Sequence, residues 1–212
     1  NEAQNIKNLL DEIASSLKNF GIYEIILVND ASTDESYNII NEIKNNKIKL
    51  ISNSKNYGQS YCINKGIQSS SHNIIVTIDG DGQNDPSDIP NLLTSYLASD
   101  NIKLVGGIRL KRKDNVVKII SSKIANSIRS SILKDNCTDT GCSLKVFDRN
   151  IFLSFPFFDG IHRFLPALFS GFGHNTIFIN VNHRKREYGK SNYGTLDRLF
   201  KGIFDIFRVL KI

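Results

Sequence analysis

The chain is short of cysteine and has neither a long apolar run nor a leader pattern, and each shortage removes a class of protein. Cys62, Cys137 and Cys142 are odd in number and include no C-x-x-C pair. That argues against a disulfide framework or a zinc site and favours a reduced, cytosolic setting. No stretch approaches eighteen apolar residues, so no membrane span is visible, and no basic segment leads into a short apolar core as in a secretory signal. Internal repeats and disorder-prone composition are also missing. What remains is a 212-residue chain with 40% apolar residues, enough to bury the core of one α/β domain. The first residue is Asn and the chain opens straight into a helical pattern, so an opening strand is expected to precede it in the native protein.

The formal charge of +6 is divided unevenly. Residues 1–108 carry 8 Lys/Arg and 13 Asp/Glu, a net of −5, whereas residues 109–212 carry 19 and 8, a net of +11. An acidic half can hold cations, and a basic half suits an anionic ligand or surface. Plain solvated surface produces such counts too.

Short apolar runs alternate with helical patterns. YEIILVN (23–29), IKLIS (48–52), IIVTID (74–79) and KLVGGIR (103–109) are β-branched and too short for helices, so they predict strands. Residues 2–19, 34–46, 58–70 and 86–98 predict helices between them, with Ser32-Thr33-Asp34-Glu35 fitting a capping box at the second. This alternation favours a mostly parallel sheet flanked by helices, with ligands outside the carboxyl ends of the strands. Asp30 and Asp79 stand at two of those ends.

In the stretch VTIDGDGQNDP, Asp79 and Asp81 are two residues apart on extended chain, so their side chains leave on the same side and Gly80 permits close approach. Oxygen ligands of this kind suit Mg²⁺ or Mn²⁺, which fill their remaining positions with water and phosphate oxygens. Gln83 could add an amide oxygen. A Gly-Asp turn leading into the helix near Pro86 is the competing explanation, and the short motif alone does not decide between them.

Four further segments accompany it: VNDASTD (28–34), KNYGQSYCINKG (55–66), DTGCSLKVF (139–147) and HRKREYGKSNYG (183–194). In this order and spacing the chain resembles the family 2 glycosyltransferases, and within them the polyprenyl-phosphate sugar transferases of the dolichol-phosphate mannosyltransferase type. The resemblance runs along nearly the whole chain, and NEAQNI looks like the tail of the family's usual start. It implies a GT-A-like α/β fold over one catalytic domain, 1–212, with a nucleotide-sugar and metal half (1–108) and an acceptor and membrane-facing half (109–212). It also implies an inverting, metal-dependent transfer from a GDP- or UDP-linked sugar to a polyprenyl phosphate.

The resemblance assigns residues as well. Glu2, Asp30, Asn56 and Gly58 fall at donor-binding positions, with Asn29 where many members have a first Asp. Asp79 and Asp81 match the metal-binding D-x-D, and Gln83 a position that joins the metal shell. Arg109 matches the arginine ending a G-x-R strand. Lys118, Ser122 and Asn126 fall on an R-x3-S-x3-N pattern in which Lys118 replaces arginine, so a bidentate phosphate grip is reduced to a point charge. Asp139 occupies the acidic position near the meeting point of donor and acceptor. A phosphate monoester is already largely ionised at neutral pH, so Asp139 is expected to orient rather than deprotonate; a saccharide hydroxyl acceptor would need a true base. Arg184, Arg186 and Lys190 match phosphate-gripping residues of a closing loop, with Asn192 where lysine is usual. His162 and His183 lack metal-ligand spacing and suit packing or hydrogen bonding.

Two basic stretches point to a surface. Residues 109–134 hold eight cations and one acid, Asp114, around Ile120, Ile124, Ile128 and Ile132 at four-residue spacing. That stripe fits either a helix packed on the sheet or one lying on a membrane. TLDRLFKGIFDIFRVLKI places Leu199, Phe200, Ile203, Phe204 and Phe207 at helical spacing among basic residues, too interrupted to span a bilayer. The cytoplasmic face of a membrane is the expected location, reached peripherally or through segments beyond this chain. Transfer to a saccharide hydroxyl in cell-surface polysaccharide synthesis is the alternative. A nucleic-acid-binding module is a weaker one, because residues 109–134 contain no aromatic residue to stack on bases.

Overall fold

The computed structural model describes residues 1–43, 45–110, 126–186 and 195–212. Strands β1 (Ile25–Asn29) and β2 (Ile48–Ser52) pair in parallel, from Ile25 opposite Ile48 to Asn29 opposite Ser52. A second sheet has the order β3 (Ile74–Thr77), β5 (Lys145–Asp148), β4 (Ile102–Arg109), β6 (Asn175–Val181). Here β6 is parallel to β4, whereas β5 is antiparallel to both of its neighbours. The parallel pairing expected from β-α alternation therefore holds for β1–β2 and β4–β6, while β5 makes the second sheet mixed. Since β3 and β4 both oppose β5, they run in one direction and their carboxyl ends share a rim.

Helices α1 (Ala3–Ser16), α2 (Ser36–Glu42), α3 (Gln59–Gln68) and α4 (Ile89–Leu97) lie within the four predicted segments. Then come α5, described over 126–133, α6 (Arg149–Ser154), α7 (Leu165–Gly171) and α8 (Thr195–Lys211). Neighbouring sheet residues alternate between two cores. Val105 and Val146 face Leu9, Ile13, Leu92 and Tyr96 of α1 and α4, while Leu104 and Phe147 face Phe152, Phe155, Leu168 and Phe169. A third cluster joins α1 and α2 to β1 and β2 through Ile6, Leu10 and Ile40. Truncating a fully buried ring such as Phe147 or Phe169 removes about 3–5 kcal/mol.

One local expectation is corrected, and one open alternative is decided over the described part of α5. The capping box at Ser32–Glu35 does not form, and α2 starts at Ser36 without a side-chain cap bond from Glu35. Asp34 instead serves two helix starts, accepting from Ser36 N–H at 3.0 Å and from Ala3 N–H at 3.1 Å. On α5 the isoleucines do not pack on the sheet: Ile128 is 55% exposed and Ile132 43%, and the inward residues are Asn126 and Arg129. Arg129 is held by Asp135 and by the Cys137 carbonyl, and Asn126 Oδ1 accepts from Thr140 Oγ1. Asn126 and Arg129 thus face inward beside Leu133, which packs on the second core, while Ile128 and Ile132 face out. Ile120, Ile124 and most of the basic run lie outside the described residues. Among the described residues no helix is long and apolar enough to cross a membrane.

Candidate active site

The site grows from the strand ends. Asp30, directly after β1, accepts from the N–H groups of Tyr57 (2.9 Å) and Gly58 (2.8 Å) and from Asn53 Nδ2 (2.8 Å). Burial alone would push its carboxyl up, but these donors outweigh it and hold the pKa below the ordinary aspartate value. Gly58 has φ +88° and ψ 164° at the start of α3, a conformation essentially reserved for glycine. Asp30 thus fixes the loop that launches α3 and commits much of its acceptor capacity there. Asn56 is exposed in the same loop. Gln59, the first residue of α3, then reaches across to Asp79, donating from Nε2 to Oδ1 at 2.8 Å.

Asp79 is half-buried at the end of the segment that follows β3. Its N–H donates to Ser143 Oγ at 3.1 Å, and Asn84 Nδ2 donates to the same hydroxyl at 2.7 Å. Burial, then the charge of Asp81, raises its pKa; the Ser143 hydrogen bond and the charges of Lys145 and Arg109 act in the opposite direction. Lys145 is itself buried, with its ammonium on the Cys142 carbonyl. Asp81 makes the turn that the sequence also allowed, Oδ1 accepting from Gln83 N–H at 3.1 Å. Its other oxygen lies 3.7 Å from Arg186 Nη2, which is 2.6 Å from Glu2 Oε1. Arg186 Nε is buried without a hydrogen-bond partner among the described residues.

Glu2, Asp81 and Arg186 therefore form one cluster, and Asp79 is close enough for its ionisation to feel Asp81. Two carboxylates that repel each other, with only oxygen ligands on offer, suit a hard divalent ion. Among the described residues no group of three or more His, Cys, Asp or Glu could enclose a metal unaided. The protein's share of a shell would be Asp79 and Asp81, the rest water and ligand oxygens. Gln83 meets the motif through its backbone, its carbonyl accepting from Arg184 N–H at 2.8 Å.

Arg109 and Asp139 are brought together. Arg109 Nε and Nη2 donate to the two carboxylate oxygens at 2.8 and 2.7 Å, and its backbone N–H adds a third bond at 3.1 Å. Both side chains are largely buried. Asp139 is therefore held in a fork made by Arg109. The Arg184 guanidinium meets Glu12 (2.7 Å) and Asp85 (2.8 Å), which clamps residues 183–186 along the D-x-D loop, and a bridge between Asn84 and His183 does the same. Arg186 is the arginine beside Glu2 and Asp81. Lys118, Ser122, Lys190 and Asn192 lie outside the described residues.

Sequence reasoning missed Gln59, Asn53, Ser143 and Lys145. Gln59, Ser143 and Lys145 sit inside the motifs 55–66 and 139–147, so the signal was adjacency to a motif residue; Asn53 is visible only through its contacts.

The family model "Glycosyl transferase family 2" matches residues 1–155. The chain is 32% identical to the dodecaprenyl-phosphate galacturonate synthase of Rhizobium johnstonii, covering 99% of this chain and 64% of that protein. It is also 32% identical to the undecaprenyl-phosphate 4-deoxy-4-formamido-L-arabinose transferase of Proteus mirabilis, covering 99% and 65%. The chain thus spans just under two thirds of the length of these relatives. In fold it resembles glucosyl-3-phosphoglycerate synthase of Mycobacterium tuberculosis in complex with UDP (TM-score 0.74, 19% identity, 100% of this chain and 77% of that one). Mannosyl-3-phosphoglycerate synthase of Rubrobacter xylanophilus is similar too (TM-score 0.72, 15% identity, 98% and 70%). A further structure of the mycobacterial enzyme, with Mn²⁺, UDP-glucose and phosphoglyceric acid, matches at TM-score 0.70 and 18% identity, over 99% and 75%.

Proposed function

The chain belongs to glycosyl transferase family 2, and from that premise we propose that it carries a sugar from a nucleotide diphosphate donor to a polyprenyl phosphate. The observation that carries the donor half is the cluster of Glu2, Asp79, Asp81 and Arg186 on the strand-end rim. Mn²⁺ or Mg²⁺ held by Asp79 and Asp81 would act as a Lewis acid on the departing diphosphate. Arg186 adds a cation beside that group, and Gln59 and Ser143 hold Asp79 in place. Residues 1–108 supply the carboxylates and Gln59 of this half, and residues 109–212 supply Ser143 and Arg186, for a UDP- or GDP-linked donor.

The acceptor half rests on residues 109–212. An acceptor phosphate is largely ionised at neutral pH, its second pKa being near 6, so its oxygen can attack the anomeric carbon in line with the leaving group without a base. Asp139 fits that chemistry: three hydrogen bonds from Arg109 hold its carboxylate in one orientation. A saccharide hydroxyl acceptor would instead require proton removal. The two relatives described above are named for dodecaprenyl and undecaprenyl phosphate. The exposed isoleucines of α5 and the outer face of α8, with Phe204, Phe207 and Leu210 beside Arg208 and Lys211, suit a membrane surface on its cytoplasmic side.

The reading is tested by incubating the full-length protein with labelled UDP- and GDP-sugars, Mn²⁺, and either undecaprenyl phosphate or an oligosaccharide. Label is expected in the lipid phase. Label found only in the oligosaccharide would transfer the reading to polysaccharide synthesis.

A further inference from the structure

The turn Gly160–Arg163 touches both the donor rim and the C-terminal helix. On one side, Ser60 is 1% exposed in the first turn of α3, next to Gln59. Its Oγ accepts the Gly160 N–H at 2.7 Å and lies 2.8 Å from His162 Nδ1. On the other side, Arg163 Nη2 lies 2.7 Å from Asp205 Oδ2 on α8. Asp205 Oδ1 is 3.5 Å from Arg208 Nη1, and that guanidinium lies over the Phe158 ring at 5.5 Å from its centroid. Gly160 has φ +102°, and a Cβ there would stand 2.7 Å from Asp205 Oδ2 and 2.9 Å from Arg163 Nη2. Backbone, carboxylate and guanidinium are thus in contact at one point.

We propose that His162 and Asp205 are positioning residues that couple α8 to Asp79 through this turn and Gln59. The inference rests on the donor site proposed above. Each link is a short contact: Asp205 to Arg163, the turn to Ser60 through Gly160 and His162, Ser60 to its neighbour Gln59, and Gln59 to Asp79 at 2.8 Å. Interiors are close-packed, so displacement at one end is passed on rather than absorbed. The two faces of α8 fit this use. Asp205 is 6% exposed, and Ile206 and Val209 pack against the body, whereas Phe204 and Phe207 are 73% and 61% exposed. The position of the helix is therefore open to whatever its outer face meets, and its inner carboxylate reports that position to the turn. A double-mutant cycle measures the energetic coupling.

The full chain is titrated with Mn²⁺ in the presence of UDP, and separately of GDP, for wild type, His162→Ala, Asp205→Asn and the double variant, with melting temperature recorded alongside. Each single substitution is expected to weaken Mn²⁺–nucleotide binding about 5-fold or more, and the double variant to bind no more weakly than the worse single. His162→Asn, which offers an amide atom near the place of Nδ1, should restore affinity whatever its melting temperature. Arg163→Gln cuts the Asp205 link from the turn side and should reproduce Asp205→Asn, which covers the case in which the latter does not fold. Unchanged affinities in the singles, or losses that multiply in the double, overturn the coupling. Wild type that binds neither nucleotide with Mn²⁺ overturns the donor site itself, and the coupling with it.

Discussion

Asp79 is where stability and chemistry oppose each other in a single side chain. Burial, then repulsion from Asp81, raises its pKa, so the folded state holds the Asp79 proton more tightly than the unfolded chain does. Ionised Asp79 therefore costs stability above the unfolded value of about 3.9, and the cost is relieved as pH falls through the raised folded value. An asparagine amide at this position would imitate the neutral form permanently. Asp79→Asn should raise the melting temperature of the metal-free protein, by about 2–4 °C for each kcal/mol relieved, while abolishing any further rise on adding Mn²⁺ and nucleotide. A lower melting temperature with the metal response intact would assign Asp79 to structure alone. Asp30 has the opposite sign: its lowered pKa contributes stability that is present above about 3.9 and lost only as pH falls through the lower folded value. The two aspartates of the D-x-D motif were legible because they are neighbours on extended chain. Their supports were not, since Gln59 lies 20 residues from Asp79 and Ser143 lies 64 away.

At the level of elements, the four strands up to Arg109 were legible because each is an apolar, β-branched run bounded by polar turns. β5 was not: it is four residues long and pairs antiparallel with strands 74 and 43 positions away at Ile74–Asp148 and Leu104–Phe147. β6 carries a usable signal in Thr176, Ile177, Ile179 and Val181, but it lies beyond the β-α alternation that marks the first four strands. The orientation of α5 could not be read, because a four-residue isoleucine stripe fits packing inward or facing out; the bonds of Arg129 to Asp135 and Cys137 decide it. For α8 the direction matters to function. If its outer face lies in a bilayer interface, Phe204→Ser with Phe207→Ser should reduce co-sedimentation with anionic vesicles by about tenfold or more, from the lost apolar burial. Both rings are exposed, so the melting temperature should move by no more than about 1–2 °C. Undiminished vesicle binding would exclude this face as the contact.

The molecule as a whole joins an acidic half to a basic one along a strand-end rim. The α/β layering follows from periodicity, and the opposite charges of residues 1–108 and 109–212 were plain from composition. Less plain was how the halves are stitched. Arg184 reaches Glu12 across 172 positions, Arg186 reaches Glu2 across 184, and Arg149 donates to the Ile67 and Gln68 carbonyls at the end of α3. Such contacts exist only once the sheet has brought chain ends together, and they place a cation from the basic half on the carboxylates of the acidic one. The arrangement acts as a diphosphate anchor only if the D-x-D carboxylates take up a metal together with a nucleotide. Calorimetric titration of UDP and GDP into the full chain, with Mn²⁺ and then with EDTA, measures this directly. At least one nucleotide should bind saturably with Mn²⁺, and binding should be lost with EDTA and in Asp81→Ala at unchanged fold. Equal binding in Asp81→Ala, or in the absence of metal, would contradict it.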